Sequence, residues 1–83
     1  MKITIRYFAS IRELIGTGQE TLETQAQSLA DLRLEISARS DAFAQALGAD
    51  KVVRMAMNQT VCDEQTKLVE GAEIAFFPPV TGG

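Results

Sequence analysis

The sequence has 83 residues, of which 46% are hydrophobic and 23% charged, with a formal net charge of −3. Such a chain is one small, folded domain, and it lacks the run of about 20 apolar residues that a membrane span needs. Histidine is absent and Cys62 is the single cysteine, which excludes a histidine-based nucleophilic triad, an internal disulfide and a cysteine-ligated metal site.

The eight Lys and Arg residues are scattered along the chain, so no basic face for nucleic acid is expected. No apolar signal segment follows Met1. We therefore expect a cytoplasmic protein with neither a nucleic-acid partner nor a membrane partner.

The first part of the chain predicts two neighbouring strands with a helical connection. Residues 2–8 alternate with a period of two, which predicts a half-buried strand. Its core-facing residues would be Ile3, Ile5 and Tyr7. The pattern Ser-Ile-Arg-Glu at 10–13 is typical of a capping box and predicts one or two helical turns that begin at Ser10 and end at Gly16. Residues 19–24 are expected to return beside the first strand.

A second capping pattern at 28–31 predicts the main helix over residues 29–39. Its apolar residues recur at helical spacing at Leu29, Leu32 and Ile36. A short helical segment is predicted over 41–47, closed by Gly48. Met55, Met57 and Cys62 are interpreted as core residues rather than site residues.

The last part of the chain predicts the remaining strands, at residues 51–58, around Val61 and at 73–77. The order predicts an α+β fold in which one principal helix covers a mixed sheet of four to five strands. The apolar strand at 73–77 should lie centrally beside the first strand. A β-grasp, the fold of ubiquitin, and other small α+β rolls fit this pattern equally.

The two adjacent aromatic residues of the last strand should point to opposite faces of the sheet. With Ile74 and Phe76 on the core face, Phe77 should point outwards, where it could anchor a partner, unless a loop of its own chain covers it. Phe8 is out of phase with its strand and could join Phe77. Arg12 is a candidate for pairing with an acidic partner.

The six residues after this strand predict an extended stalk. Prolines cannot continue a ladder, β-branched residues favour extension, and glycines make a thin ribbon, so the tail would reach roughly 20 Å. These residues are Pro78, Pro79, Val80, Thr81, Gly82 and Gly83. Such a stalk could present the Gly83 carboxylate to the active site of another protein; the alternative is a frayed terminus.

The ending over residues 76–83, Phe-Phe-Pro-Pro-Val-Thr-Gly-Gly, resembles the C-terminus of the small sulfur-carrier subunit of molybdopterin synthase. Residues 8–16, 56–59 and 68–74 resemble other segments of that family, though related ubiquitin-like sulfur carriers share them more loosely. One departure is Ala72, where an acidic residue is usual; we expect this change to touch only a surface turn.

The resemblance implies a ubiquitin-like β-grasp domain over 1–77 and a functional tail over 78–83. An ATP-dependent, E1-like adenylyltransferase would adenylate Gly83, and a persulfide-derived sulfur would then make a thiocarboxylate. The tail, with Gly82 in the channel, would enter the large subunit of a heterotetrameric synthase and donate sulfur to a cyclic pyranopterin precursor. The resemblance implies that the chain itself binds no cofactor or metal and supplies no general acid or base.

Three other functions remain compatible with the sequence. Sulfur carriers for thiamine or tRNA thiolation also end in Gly-Gly, although the Phe-Phe-Pro-Pro run at 76–79 favours the molybdopterin branch. A ubiquitin-like modifier would join lysines through the same tail. A plain binding module would carry an inert tail.

Overall fold

The computed structural model describes residues 1–79 as a mixed sheet that packs three helices against one face. The predicted α+β class and the order of elements are confirmed. In chain order the elements are β1 (Lys2–Tyr7), α1 (Ala9–Ile15), β2 (Gln19–Glu23), α2 (Leu29–Ser37), α3 (Asp41–Leu47), β3 (Arg54–Met57), β4 (Thr60–Cys62) and β5 (Glu73–Phe77).

The five strands lie in the order β2-β1-β5-β3-β4, so the last strand of the chain is the central one. It runs parallel to β1, with Ile5 opposite Ile74 and Tyr7 opposite Phe76, whereas all other pairs are antiparallel. The predicted central position of β5 beside β1 is therefore confirmed.

One face of the sheet and the inner faces of the helices form a single core. The largest fully buried side chains are Ile3, Ile5, Tyr7, Leu29, Leu32, Ile36, Leu47, Ile74 and Phe76. Met55 belongs to this core, and Met57 and Cys62 pack against it. The interpretation of these three sulfur-containing residues as packing residues is confirmed.

Helix α1 begins earlier than the capping pattern predicts. Its N-cap is Phe8, which makes no side-chain cap, and Ser10 lies inside the helix, so the predicted capping box is wrong. The reason is tertiary: the Phe8 N–H donates to the Phe76 carbonyl at 3.2 Å, which extends the β1–β5 pairing up to the start of the helix. Gly16 ends α1 in the left-handed region, as predicted, with φ of 91°.

Helix α2 begins as predicted, because the Ser28 hydroxyl accepts from the Asp31 N–H at 3.2 Å. It ends at Ser37, two residues before the predicted boundary at 39. Helix α3 has the predicted bounds and a cap that the sequence analysis missed, in which the Ser40 hydroxyl accepts from the Phe43 N–H.

The guanidinium of Arg33, only 8% exposed, joins α2 to three later segments. Its Nε donates to the Leu47 carbonyl at 2.8 Å, and its Nη2 donates to the carbonyls of Gly48 and Lys51 at 2.7 and 2.6 Å. Its Nη1 pairs with the Glu64 carboxylate. Because the Lys51 carbonyl bonds to Arg33, β3 begins at Arg54 and not at the predicted residue 51.

Tyr7 is the one buried tyrosine, and its phenol has a specific partner. Its hydroxyl donates to the Glu20 carboxylate at 2.8 Å, and Arg39 pairs with the same carboxylate at 2.9 Å. Its ring packs edge-on against Phe43 and is stacked on Phe76, with centroids 6.2 and 6.4 Å away. Burial and the bond to Glu20 raise the pKa of Tyr7 far above its ordinary value of 10.0.

The raised pKa of Tyr7 predicts an alkaline loss of stability. Below pH 10.0 both the folded and the unfolded chain keep the phenol proton. Above it the unfolded chain loses the proton first, so the free energy of unfolding should fall as pH rises. Tyr7→Phe should remove this part of the pH dependence and cost about 1 kcal/mol at neutral pH, since Glu20 loses a donor.

The measurement is denaturant unfolding of both chains across the alkaline range, with the tyrosinate absorbance followed in parallel. The chain has one Tyr and no Trp, so this absorbance reports Tyr7 alone. Tyrosinate formation at the ordinary pKa in the folded protein would contradict the prediction.

Candidate functional site

The outer face of the sheet carries a shallow groove, which we call the sheet groove. It forms because the small Ala75 lies between Glu73 and Phe77 on the outer face of β5, with Arg6 beside it on β1. The groove is lined by Arg6, Phe8, Gln59, Glu73, Ala75 and Phe77. Its two ends, at Glu73 and Phe77, are four residue steps apart along β5, a length of about 13 Å.

Phe77 lies in the sheet groove and outside the core cluster. Ile74 and Phe76 are fully buried, whereas Phe77 is half-buried and lies opposite Arg54 of β3. The predicted outward direction of Phe77 is confirmed. Its role at an interface stays a prediction.

Phe8 lies at the same end of the groove as Phe77. It is 39% exposed, and the Arg6 guanidinium sits 5.4 Å from the centre of its ring, a cation–π distance. The position of Phe8 follows from its backbone, which bonds to Phe76 and then turns into α1. The structure therefore brings together the two aromatic residues that the sequence analysis paired.

Arg12 lies on a different part of the surface. It is exposed, makes no ion pair with another residue in 1–79, and borders a depression near Ala9 and Gly16. Its side chain packs over the backbone of Gly18, where an added Cβ would come within 3.0 Å of the Arg12 Nε. The three predicted partner-binding residues of the folded domain thus divide into a pair in the groove and a separate Arg12.

Gln59 closes the other end of the sheet groove, and the sequence analysis did not select it as a site residue. It is the second residue of the two-residue turn between β3 and β4, where Asn58 and Gln59 have φ of 51° and 70°. Such turns favour Asn followed by Gly, and a left-handed residue of another type costs about 1 kcal/mol. Gln59 stands where such a hairpin turn usually has Gly, and this departure was the signal in the sequence that could have marked Gln59 as a candidate site residue.

Asn58 ties this turn to the central strand. Its N–H donates to the Glu73 carbonyl at 2.8 Å, and its side-chain oxygen accepts from the Glu73 N–H at 3.0 Å. The position of Gln59 relative to β5 is therefore set by two hydrogen bonds of its neighbour.

The tail begins where β5 ends, at the end of the groove that holds Phe77. Pro78 is half-buried and Pro79 is exposed. The predictions for Val80, Thr81, Gly82 and Gly83 lie outside the described residues. The predicted division between a domain over 1–77 and a tail over 78–83 likewise stays a prediction.

Ala72 does not lie on a surface turn. Its side chain is 1% exposed and belongs to the core cluster, and its carbonyl accepts from the Thr4 N–H at 3.0 Å. The residue before it, Gly71, is exposed and has a φ of 79°. The expectation that this departure from the family pattern touches only the surface is wrong, because pairing with β1 draws the chain inwards directly after Gly71.

Two further features of the described residues concern metal-binding groups and membrane-spanning helices. Within residues 1–79, no group of three His, Cys, Asp or Glu side chains could hold a metal ion. In the same part of the chain, no helix has the length and apolar character needed to cross a membrane.

The sheet order, the single core and the strand that leads into the tail define a ubiquitin-like β-grasp protein, as predicted. The chain belongs to the ThiS family, whose family model matches residues 5–83. It is 41% identical over 81 residues to the molybdopterin synthase sulfur carrier subunit of Escherichia coli (strain K12), an alignment that covers 98% of this chain and 99% of that relative.

Two solved structures show the same fold. One is the complex of subunits 1 and 2 of the molybdopterin-converting factor from Helicobacter pylori, in which the matched chain is 27% identical, has a TM-score of 0.71 and is covered completely, as is this chain. The other is the small archaeal modifier protein 1 from Methanosarcina acetivorans, with a TM-score of 0.78 and 22% identity over 99% of this chain and 96% of that chain. At that identity the second structure is evidence for the fold alone.

Proposed function

We propose that this chain is the sulfur carrier subunit of a molybdopterin synthase. The observation that carries the proposal is the 41% identity to such a subunit over almost the full length of both chains. The sulfur would be carried at the Gly83 carboxylate, on a tail that follows the central strand of the sheet next to Phe8 and Phe77.

The sheet groove is the proposed docking surface for the large subunit. Phe8, Ala75 and Phe77 give it an apolar stretch, and Arg6 and Glu73 add opposite charges beside that stretch. An apolar centre with a polar rim is the usual arrangement of a protein interface. The chain in the Helicobacter pylori structure that shares this fold is bound to a second subunit, which supports a partner of this kind.

The proposed chemistry has two stages, and both use active sites on partner proteins. In the first, an E1-like adenylyltransferase uses ATP: the Gly83 carboxylate attacks the α-phosphate and releases pyrophosphate. A persulfide sulfur then displaces AMP, and reduction of the sulfur–sulfur bond by a thiol leaves a thiocarboxylate.

In the second stage, within the large subunit, the thiocarboxylate sulfur attacks a carbon of the cyclic pyranopterin and displaces an oxygen substituent from that carbon, which leaves with a proton. Water then cleaves the bond between the Gly83 carbonyl and the transferred sulfur. This returns the Gly83 carboxylate and leaves the sulfur on the pterin. The absence of histidine from the whole sequence supports general acid–base groups supplied by the large subunit. ATP is bound by the activating enzyme in this scheme.

Replacing Phe77 by Ala tests the docking surface. The substitution should weaken binding to the large subunit by about 2 kcal/mol, as expected of an aromatic residue that is buried at an interface. The free domain should lose much less stability, because Phe77 lies outside the core cluster. The measurements are calorimetric titration with the large subunit and thermal unfolding of the chain alone.

Leu34→Ala is the matched control, since Leu34 is 68% exposed on α2, on the helical side of the sheet. It should leave affinity unchanged. A collapse of thermal stability in Phe77→Ala with unaltered affinity would show that Phe77 serves the core instead.

Removing Gly83 tests the sulfur-carrier function itself. The change should abolish thiocarboxylate formation and molybdopterin production, because it withdraws the carboxylate by about 3.3 Å. A misplacement of about 1 Å can already cost ~100-fold in a positioned reaction. Thermal unfolding should be unaffected, because the core cluster ends at Phe76. Gly82→Ala should show an intermediate or larger defect, since its Cβ must pass the same channel.

The assay supplies the activating enzyme, ATP, a sulfur donor, the large subunit and the pyranopterin precursor. Intact-mass spectrometry checks the exchange of one oxygen for sulfur on the unchanged chain. Gln65→Ala changes an exposed loop residue far from the tail in sequence, and it controls for the general effects of substitution and purification. This variant should be fully active. Normal product from a chain lacking Gly83 would refute the sulfur-carrier function.

A further inference from the structure

The turn at Asn58 and Gln59 combines an unfavourable backbone with a free side chain. Asn58 suits the first position of a turn with two positive φ values, but Gln59 occupies the second position, where Gly is favoured, at a φ of 70°. Within residues 1–79 the Gln59 side-chain amide makes no hydrogen bond, and the residue is exposed. No contact in the folded domain therefore accounts for a glutamine at this position.

The turn that carries Gln59 nevertheless has a fixed place beside the sheet groove. Gln59 lines the groove together with Glu73 and Phe77. The two hydrogen bonds between Asn58 and Glu73 hold the turn against the start of β5. A residue in an unfavourable backbone conformation that lines a groove is a candidate for function, because the surrounding structure must maintain it.

We infer that Gln59 is a specificity-determining contact of the sheet groove, which bonds to a main-chain amide of the partner at the end opposite Phe8 and Phe77. This inference rests on the proposed docking of the large subunit in the groove. A side-chain carboxamide both donates and accepts, and it matches the N–H and C=O of a peptide group. Arg6 and Glu73 already provide one charge of each sign in the groove. The amide of Gln59 is neutral, so it suits a neutral partner group that both donates and accepts hydrogen bonds.

The geometry gives the two ends of the groove different tasks. The aromatic pair would bury apolar partner surface next to the tail, while Gln59, about 13 Å away along β5, would set the position of the partner along the strand. A different partner could cover Phe8 and Phe77 with apolar surface but have no peptide group where Gln59 lies. In that complex the Gln59 amide and the partner's polar groups nearby would have no hydrogen-bond partners. Such a mismatch is how interfaces discriminate between similar partners.

Two substitutions separate the side chain from the backbone. Gln59→Gly removes both the amide and the unfavourable φ, and it should raise the thermal midpoint of the free chain by a few degrees while weakening binding to the large subunit about tenfold. Gln59→Ala removes the amide but keeps a residue with a Cβ at the positive φ. It should therefore weaken binding by a similar factor without the gain in thermal stability. Gln65→Ala removes a glutamine amide outside the groove and should bind like the unchanged chain.

The experiment is calorimetric titration of each full-length variant with the purified large subunit, with thermal unfolding of each variant alone. Affinities of both Gln59 variants within threefold of the unchanged chain would overturn the inference, as would a lower thermal midpoint for Gln59→Gly. If Phe77→Ala weakens binding while the Gln59 variants do not, this inference alone fails. If the unchanged chain does not bind the large subunit, the proposed function fails and the inference falls with it.

Discussion

The parallel pairing of β1 with β5 is the interaction on which the rest of the molecule depends. It joins the first strand of the chain to the last, and it places Ile5 against Ile74 and Tyr7 against Phe76 at the centre of the core. Parallel neighbouring strands need a long connection, because a tight turn cannot join them. Here that connection contains all the other helices and strands. The helices cover one face of this pair, and the other face remains open for the sheet groove.

The same pairing has local consequences at both ends of the two strands. At one end it draws Ala72 into the core directly after Gly71. At the other end it continues through the bond from Phe8 to the Phe76 carbonyl, which starts α1 at Ala9 and leaves Phe8 beside Phe77. The aromatic pair of the groove and the exit of the tail therefore have a common structural origin.

Two partly buried polar networks hold the outer elements onto this centre. Arg33 bonds to the carbonyls of Leu47, Gly48 and Lys51, and so ties α2 to the end of α3 and to the segment that follows it. Tyr7 and Arg39 share the carboxylate of Glu20 and so tie the edge strand β2 to the core. Neither network includes a residue that lines the groove, so substitutions on the outer face of the sheet leave both networks intact.

Local patterns in the sequence determined the elements and the face that each buries. The alternation in β1, the spacing of Leu29, Leu32 and Ile36, the cap at Ser28 and the parity of Phe76 and Phe77 act within a few residues, and the structure agrees with each. The likeness of the ending to that of a sulfur-carrier family also required no structure.

Other features were decided only by contacts between residues distant in the chain. The start of α1 depends on Phe76, the late start of β3 depends on Arg33, and the burial of Ala72 depends on β1. The groove is of this kind as well: Phe8, Gln59 and Phe77 come from three separate segments, and only the sheet register brings them together. Local patterns carry no information on strand register across long connections, and for that reason the tertiary structure alone could show that Gln59 lines the groove and that Arg12 lies on a different part of the surface.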